Sequence, residues 1–184
     1  MRNAGPCENQ LTKLRSISYR VTLIIILVVC IATPAVSQTS SYSELQAAYL
    51  YNFAKYIRWP GESAQFTIGV LGSEEIVKEL TRTLKDKKVA GKPLVIKLVA
   101  ADDALDDCRI LFVPEEASGM LSTMIAPALI KNILIVTEED LIKKGAGISF
   151  VVQDDKLRFK LKKKILDDTR LVVSDGLLRL AIIQ

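Results

Sequence analysis

The sequence predicts an α/β fold: one domain built on a mixed sheet of about five to six strands, flanked by helices and closed by a C-terminal β-hairpin and a short terminal helix. Three observations predict it. Short apolar runs bounded by Gly, Pro and Asp alternate with stretches of helical periodicity between residues 43 and 144. The run from Asn132 to Val136 is almost wholly apolar, the pattern of a strand buried on both faces. Finally, Ile148 to Gln153 and Leu157 to Leu161 flank Asp154-Asp155-Lys156, and the second of them alternates apolar and basic residues as a half-exposed hairpin strand does.

The elements follow in order. Ser43 to Pro60 reads as a helix carrying half of the ten Tyr, Phe and Trp residues that lie beyond residue 37. Leu45, Tyr49, Leu50, Phe53, Ala54, Tyr56 and Ile57 fill an arc of roughly 180° at about 100° per residue, with Glu44, Asn52, Lys55 and Arg58 opposite. Ser43 reads as its N-cap and Gln46 as the second half of a capping box, and Pro60-Gly61 ends it. Phe66 to Gly72 is a strand and turn, and Ser73 caps a helix from Glu74 to Leu84 with acidic residues in its first turn. Leu94 to Val99 and Arg109 to Val113 are strands. Ser118 to Ile130 is a weak helix containing Pro127, and Glu138 to Lys144 a short one closed by Gly145. After the hairpin, Lys162 to Asp168 is helical and Leu171 to Val173 extended. Ser174-Asp175 starts a final helix carrying Leu177, Leu178, Leu180 and Ile182.

Two domains of composition divide the 184 residues. Arg2, Lys13, Arg15 and Arg20 precede an apolar run from Val21 to Ala32, and Ala35-Val36-Ser37 supplies small residues at cleavage spacing. Residues 1–37 are therefore expected to be a secretory signal peptide cleaved after Ser37, and residues 38–184 the mature domain. The run is shorter than the ~20 residues a spanning helix needs, so the mature chain is not expected to be membrane-embedded. Leu27-Val28-Val29 lacks the small residue that precedes a lipidated cysteine, which argues against Cys30 as a lipid anchor. Cleavage removes four basic residues and Glu8, leaving 21 Lys/Arg against 20 Asp/Glu, so the formal +4 falls to +1. A nucleic-acid partner is not expected from that balance.

Histidine is absent, which excludes a Ser-His-Asp or Cys-His site. The doublets Asp102-Asp103, Asp106-Asp107, Asp154-Asp155 and Asp167-Asp168 are read as solvated turns and helix ends rather than a Ca²⁺ or glycosidase site. Gly69-Val70-Leu71-Gly72-Ser73 lacks a phosphate-loop pattern and is read as an ordinary βα turn. No catalytic residue, metal ligand or cofactor site is expected. Cys108 is the one cysteine of the mature chain, so no internal disulfide can form. It is a candidate redox handle or intermolecular link, set against a small strand residue packed in the core. Lys160, Lys162, Lys163 and Lys164 make a basic run whose first two members alternate out of a strand, as on an edge that discourages pairing. Tyr51 falls on the polar side of the first helix, where it can meet a partner.

AAYLYNFAKYIRWP near the start and GISFVVQDDKLRFKLKKKILDDTRLVVSDGLLRLA at the end together resemble the opening and closing signatures of the YfiR-like periplasmic proteins, with FTIGVLG and CRILFV between them. The resemblance covers essentially the whole mature chain. It implies an exported α/β protein without catalysis of its own. Such a protein binds the periplasmic sensor domain of an inner-membrane diguanylate cyclase, or of a sensor kinase, and in the cyclase case holds it inactive and lowers cyclic-di-GMP. Lys162 stands where the family has Asn, Ser174-Asp175 replaces a double Ser, and the disulfide partner of Cys108 is missing. Redox control by an internal disulfide is thereby put aside, whereas a single thiol can still link two copies as a homodimer. The expected partner surface is the C-terminal hairpin and the segment after it, with Lys160, Leu166 and Leu178, and Tyr51 as a further contact. A small-ligand-binding module, with its crevice at the carboxyl ends of the strands, is the alternative.

Overall fold

The computed structural model describes residues 37–184, with side chains from Tyr42 onward; of the expected targeting segment all but Ser37 lies outside the described residues. The first helix, α1, spans Ser37–Tyr56. It is longer at its start and shorter at its end than the sequence suggests. Ser43 and Gln46 lie inside it and do not form a capping box. Their side chains reach across the fold instead: Ser43 Oγ donates to Glu79, and Gln46 Nε2 donates to Glu138 Oε1 at 3.0 Å. The helix stops at Tyr56, before Pro60, because Ile57–Arg58 (β1) leave it to pair antiparallel with Val172–Val173 (β9).

The sheet strands are β2 (Phe66–Leu71), β3 (Lys88–Val89), β4 (Lys92–Val99), β5 (Cys108–Val113), β6 (Leu134–Thr137), β7 (Ile148–Gln153), β8 (Lys156–Leu161) and β10 (Ile182–Ile183). They form one eight-stranded mixed sheet in the order β10-β8-β7-β6-β5-β2-β4-β3. The class is the expected one. The two additional strands, β3 and β10, have two residues each at the sheet's margins. Ile182 is correspondingly in β10, parallel to β8, and not in the final helix, which ends at Leu178. From β4 through β2, β5, β6 and β7 the pairing is parallel, and the chain reverses direction across the sheet between β2 and β5. The β7–β8 hairpin is antiparallel, as expected. Its two-residue turn places Asp154 and Asp155 at φ 52 and 56, the left-handed pair that a tight hairpin requires and Asp tolerates.

Strand alternation sends side chains to two cores. On one face Ile68, Val70, Ile110, Phe112, Ile148, Phe150 and Phe159 meet Ala47, Leu50 and Phe53 of α1, together with Leu80 of α2 (Glu74–Thr83) and Leu166 of α4 (Lys163–Asp168). On the other, Leu71, Leu111, Val113 and Ile135 meet Leu121, Met124 and Ala128 of α3 (Leu121–Ile130). The expected helix from Ser118 divides here into a 3₁₀ turn, Glu115–Met120, and α3, and only Ile142–Lys144 of the expected helix after β6 is helical, again 3₁₀. The register of β5 on β2 shifts between Thr67 and Ile68: Thr67 lies opposite Cys108, but Ile68 lies opposite Ile110. This extra residue puts Cys108 on the α3 side and Ile110 on the α1 side, and it frees Arg109 from the alternation. Gly69 has no room for a side chain: a Cβ there would lie 2.7 Å from Val99 and 3.0 Å from the Cys108 sulfur.

Candidate partner surface at the end of the first helix

The predicted apolar arc of α1 proves wider than the core it serves. Ala47, Leu50, Phe53 and Ala54 are buried, whereas Leu45 is 44% and Tyr56 45% exposed. Leu45, Tyr49, Asn52 and Tyr56 are spaced by four, three and four residues, so they form one stripe along the helix, about 16 Å long at 1.5 Å per residue. Tyr49, whose ring also packs on Phe150 and Phe159 and whose hydroxyl donates to Leu157 O at 3.1 Å, borders the last segment of the chain together with Asn52 and Tyr56. In that segment Ser174 Oγ accepts from the Leu177 N–H and caps α5 (Asp175–Leu178). Tyr49, Asn52 and Tyr56 line one side of a cleft of about 320 Å³, and Leu177 and the 59%-exposed Leu180 line the other.

Tyr56 also borders a second cleft, of about 500 Å³. The β1–β9 ribbon contributes Ile57, Arg58, Val172 and Val173 to it, and Ser174 N–H, donating to Tyr56 O at 3.1 Å, ties the ribbon to the helix end. Lys55, Arg58, Lys92 and Arg109 line this cleft, and among the described residues no carboxylate does. Arg109, released by the shift in β5, donates through Nη1 to Pro60 O at 2.5 Å. Lys55 Nζ sits 5.1 Å from the centre of the Tyr56 ring, within cation–π range. None of the four cations enters an ion pair among the described residues; the pairs there use Lys78, Lys131, Lys160, Lys163 and Lys164.

The residues singled out from sequence are placed differently from one another. Lys160 is half-buried and ion-paired to Asp140 at 2.6 Å, so its charge is already met within the chain. Leu166 is 0% exposed and belongs to the core, not to a surface. Leu178 is half-buried and packs against the same core. Tyr51 is half-buried, with its hydroxyl donating to Lys88 O at 3.1 Å and Lys87 Nζ 5.8 Å from its ring centre. The structure brings none of these four to the two clefts. Sequence reasoning put Tyr56 in the core, and the signal that it belongs outside is that Ala54 and Ile57 already supply the core contacts at its level.

Cys108 is 7% exposed, with its thiol donating to Ile110 O at 2.9 Å, which is not the exposed position that a redox handle or an intermolecular link requires. Burial is the main cause that pushes its pKa up to about 11. The thiolate, the reactive form, is therefore scarce at neutral pH. Iodoacetamide at pH 8 is expected to modify the native protein at least tenfold more slowly than the urea-unfolded chain, with the native rate rising only as the pH nears 11. Mass spectrometry of timed samples checks this.

A third cleft, of about 580 Å³, lies beyond the carboxyl ends of β5 and β6, where Glu75, Glu79 and Glu138 gather around Tyr42 and Gln46. Glu138 is held at both oxygens, by Gln46 and by the Glu115 N–H at 3.0 Å. Burial first, and then the charge of Glu138, raises the Tyr42 pKa.

The family model described as YfiR/HmsC-like matches residues 43–182. Comparison with curated proteins gives no match. Among solved structures, a crystal structure of a "conserved domain protein" from Vibrio cholerae O1 biovar El Tor strain N16961 is similar in fold, with a TM-score of 0.55 and 10% identity. That alignment covers 77% of this chain and 59% of the other, so the chain spans less than two thirds of that protein's length. With the family match running from α1 into β10, the chain belongs to the YfiR/HmsC-like family.

Proposed function

We propose that this protein is exported by a cleaved signal peptide, residues 1–37, and acts in the periplasm as a non-catalytic regulator. It binds the periplasmic sensor domain of an inner-membrane signalling protein. Membership of the YfiR/HmsC-like family supports the regulatory reading, and the target we propose is a diguanylate cyclase, which the bound regulator represses so that cyclic-di-GMP falls. The observation that carries this reading is that three of the exposed apolar side chains, Tyr56, Val172 and Leu180, line the two clefts where α1 meets the C-terminal segment. Scattered apolar residues need no explanation, but a contiguous group around a cleft is the mark of a protein contact. Among the described residues no helix is long and apolar enough to cross a membrane.

Deleting the gene is expected to raise cellular cyclic-di-GMP several-fold, and supplying the exported chain to restore it. Unchanged nucleotide in the deletion strain, measured by mass spectrometry, would rule out the cyclase target. A second reading, a small-ligand-binding module, is favoured by the cleft beyond the carboxyl ends of β5 and β6, where ligands bind in sheets of this winding. A rise in melting temperature on adding a small molecule to the purified chain, with no protein partner present, would support it.

A further inference from the structure

We infer that the α1 stripe and the cationic cleft form one continuous docking surface for an acidic amphipathic helix of a protein partner. The inference rests on the regulatory reading above and names the chemistry of the segment recognised. Leu45, Tyr49, Asn52 and Tyr56 repeat at the four-three spacing with which one helix packs along another, and the stripe covers about three turns. Its end meets the cleft at Tyr56, which borders both halves. A helix lying in the stripe sets one large apolar side chain between Tyr56 and Leu180, a space of about 320 Å³. Its end then lies over Lys55, Arg58 and Arg109.

Charge selects the occupant. Elsewhere five lysines, among them Lys160 and Lys163, are met by the chain's own carboxylates, Asp140 and Asp167 in these two cases. Around this cleft four cations gather with no carboxylate among its described lining residues; Arg109 is held by Pro60 O and Lys55 lies over the Tyr56 ring, but none of the four charges is neutralised there. Carboxylates of the incoming helix complete them, which steers association and fixes which way the helix lies. A second copy of this chain is a poor occupant: apposing the same surface across a two-fold axis would bring Arg58 and Lys55 near their own symmetry mates.

The test places the photo-crosslinker p-benzoylphenylalanine, in separate full-length chains expressed in their own cells, at Leu45, at Arg58 and at Lys160. All three side chains are at least partly exposed, and none is in the core. Expected are crosslinks from positions 45 and 58 to one protein, in one segment with apolar residues three and four apart and a net negative charge. That segment, synthesised as a peptide, is expected to bind the purified chain, to lose at least tenfold in affinity on Arg58→Glu and again on Leu45→Ser, and to weaken from 50 to 500 mM NaCl. A neutral or basic crosslinked segment, a second copy of the chain, a lipid, or peptide binding indifferent to Arg58→Glu overturns the inference. If position 160 alone crosslinks a membrane signalling protein, the regulatory reading stands and this surface is wrong. If no position crosslinks any protein, both fall.

Discussion

Replacing Phe53 with Ala is expected to lower the unfolding free energy by about 3–5 kcal/mol, the range for a fully buried aromatic cut back to a methyl. Phe53 is 0% exposed. Its ring centre lies 5.0 Å from that of Phe159 in an edge-on contact, and 6.0 Å from those of Phe150 and Tyr49. Phe150 in turn reaches Phe112 at 6.4 Å. One side chain of α1 thus joins the β7–β8 hairpin to the middle of the sheet, and each such ring pair adds about 0.5–1.5 kcal/mol beyond the area it buries. Collapse cannot readily refill the space, because the neighbouring rings of Phe150 and Phe159 stand on paired strands. For a domain of this size the loss corresponds to a fall of about 10 °C or more in melting temperature. Calorimetry of the purified protein reads it directly. A fall of less than 3 °C would show that α1 does not close this core. Phe53→Leu, which keeps most of the volume, is expected to lose less than half as much.

Phe53 also shows how much of the fold was legible. The interior strands β2 and β5 stand within one residue of where apolar runs put them, because burial on both faces leaves only one kind of sequence possible, and β7, half-exposed towards its end, is placed by the turn that follows it. The hairpin was equally legible, since Asp154-Asp155 announces its own turn. What failed was whatever depends on distant partners. Ser43 and Gln46 carry the local pattern of a cap, yet Gln46 answers to Glu138, 92 residues away, and no local rule sees that bond. Ile182 continues the helical spacing of Leu178, and only the open margin of β8 turns it into a strand. The partner surface suffered most. Exposure of Tyr56 and Leu180 follows from how little area α5 and the β1–β9 ribbon cover, which is a property of packing and not of pattern. Of the four cations, which enter no ion pair among the described residues, Lys55 and Arg58 are neighbours in sequence at the end of α1 and in β1, but Lys92 of β4 and Arg109 of β5 join them only in the fold.

Leu166→Ala is expected to destabilise the protein by about 2–5 kcal/mol while leaving the partner affinity of the folded molecules unchanged. The alternating charges before it and the apolar residues after it made Leu166 a contact candidate on sequence. Its position decides otherwise: it is fully buried, the Leu171 N–H donates to its carbonyl at 2.8 Å, and its side chain lies where a Cβ on Gly147 would touch it at 3.5 Å. It therefore anchors α4, whose other face is solvated and carries the Lys163–Asp167 and Lys164–Asp168 pairs, worth only tenths of a kcal/mol each. Almost all of what holds α4 in place comes through this side chain and the half-buried Ile165 beside it. Loosening α4 also loosens β9, which follows it and forms a wall of the cationic cleft. Partner binding by Leu166→Ala is thus expected to fall with temperature at the point where the variant unfolds and not before. Leu180→Ser gives the opposite pattern: stability within about 0.5 kcal/mol of the parent, since the residue is 59% exposed, and weakened binding at every temperature. Measuring unfolding and binding on both variants separates a residue that builds the surface from one that belongs to it, and an affinity loss for Leu166→Ala at full folding would return that residue to the interface.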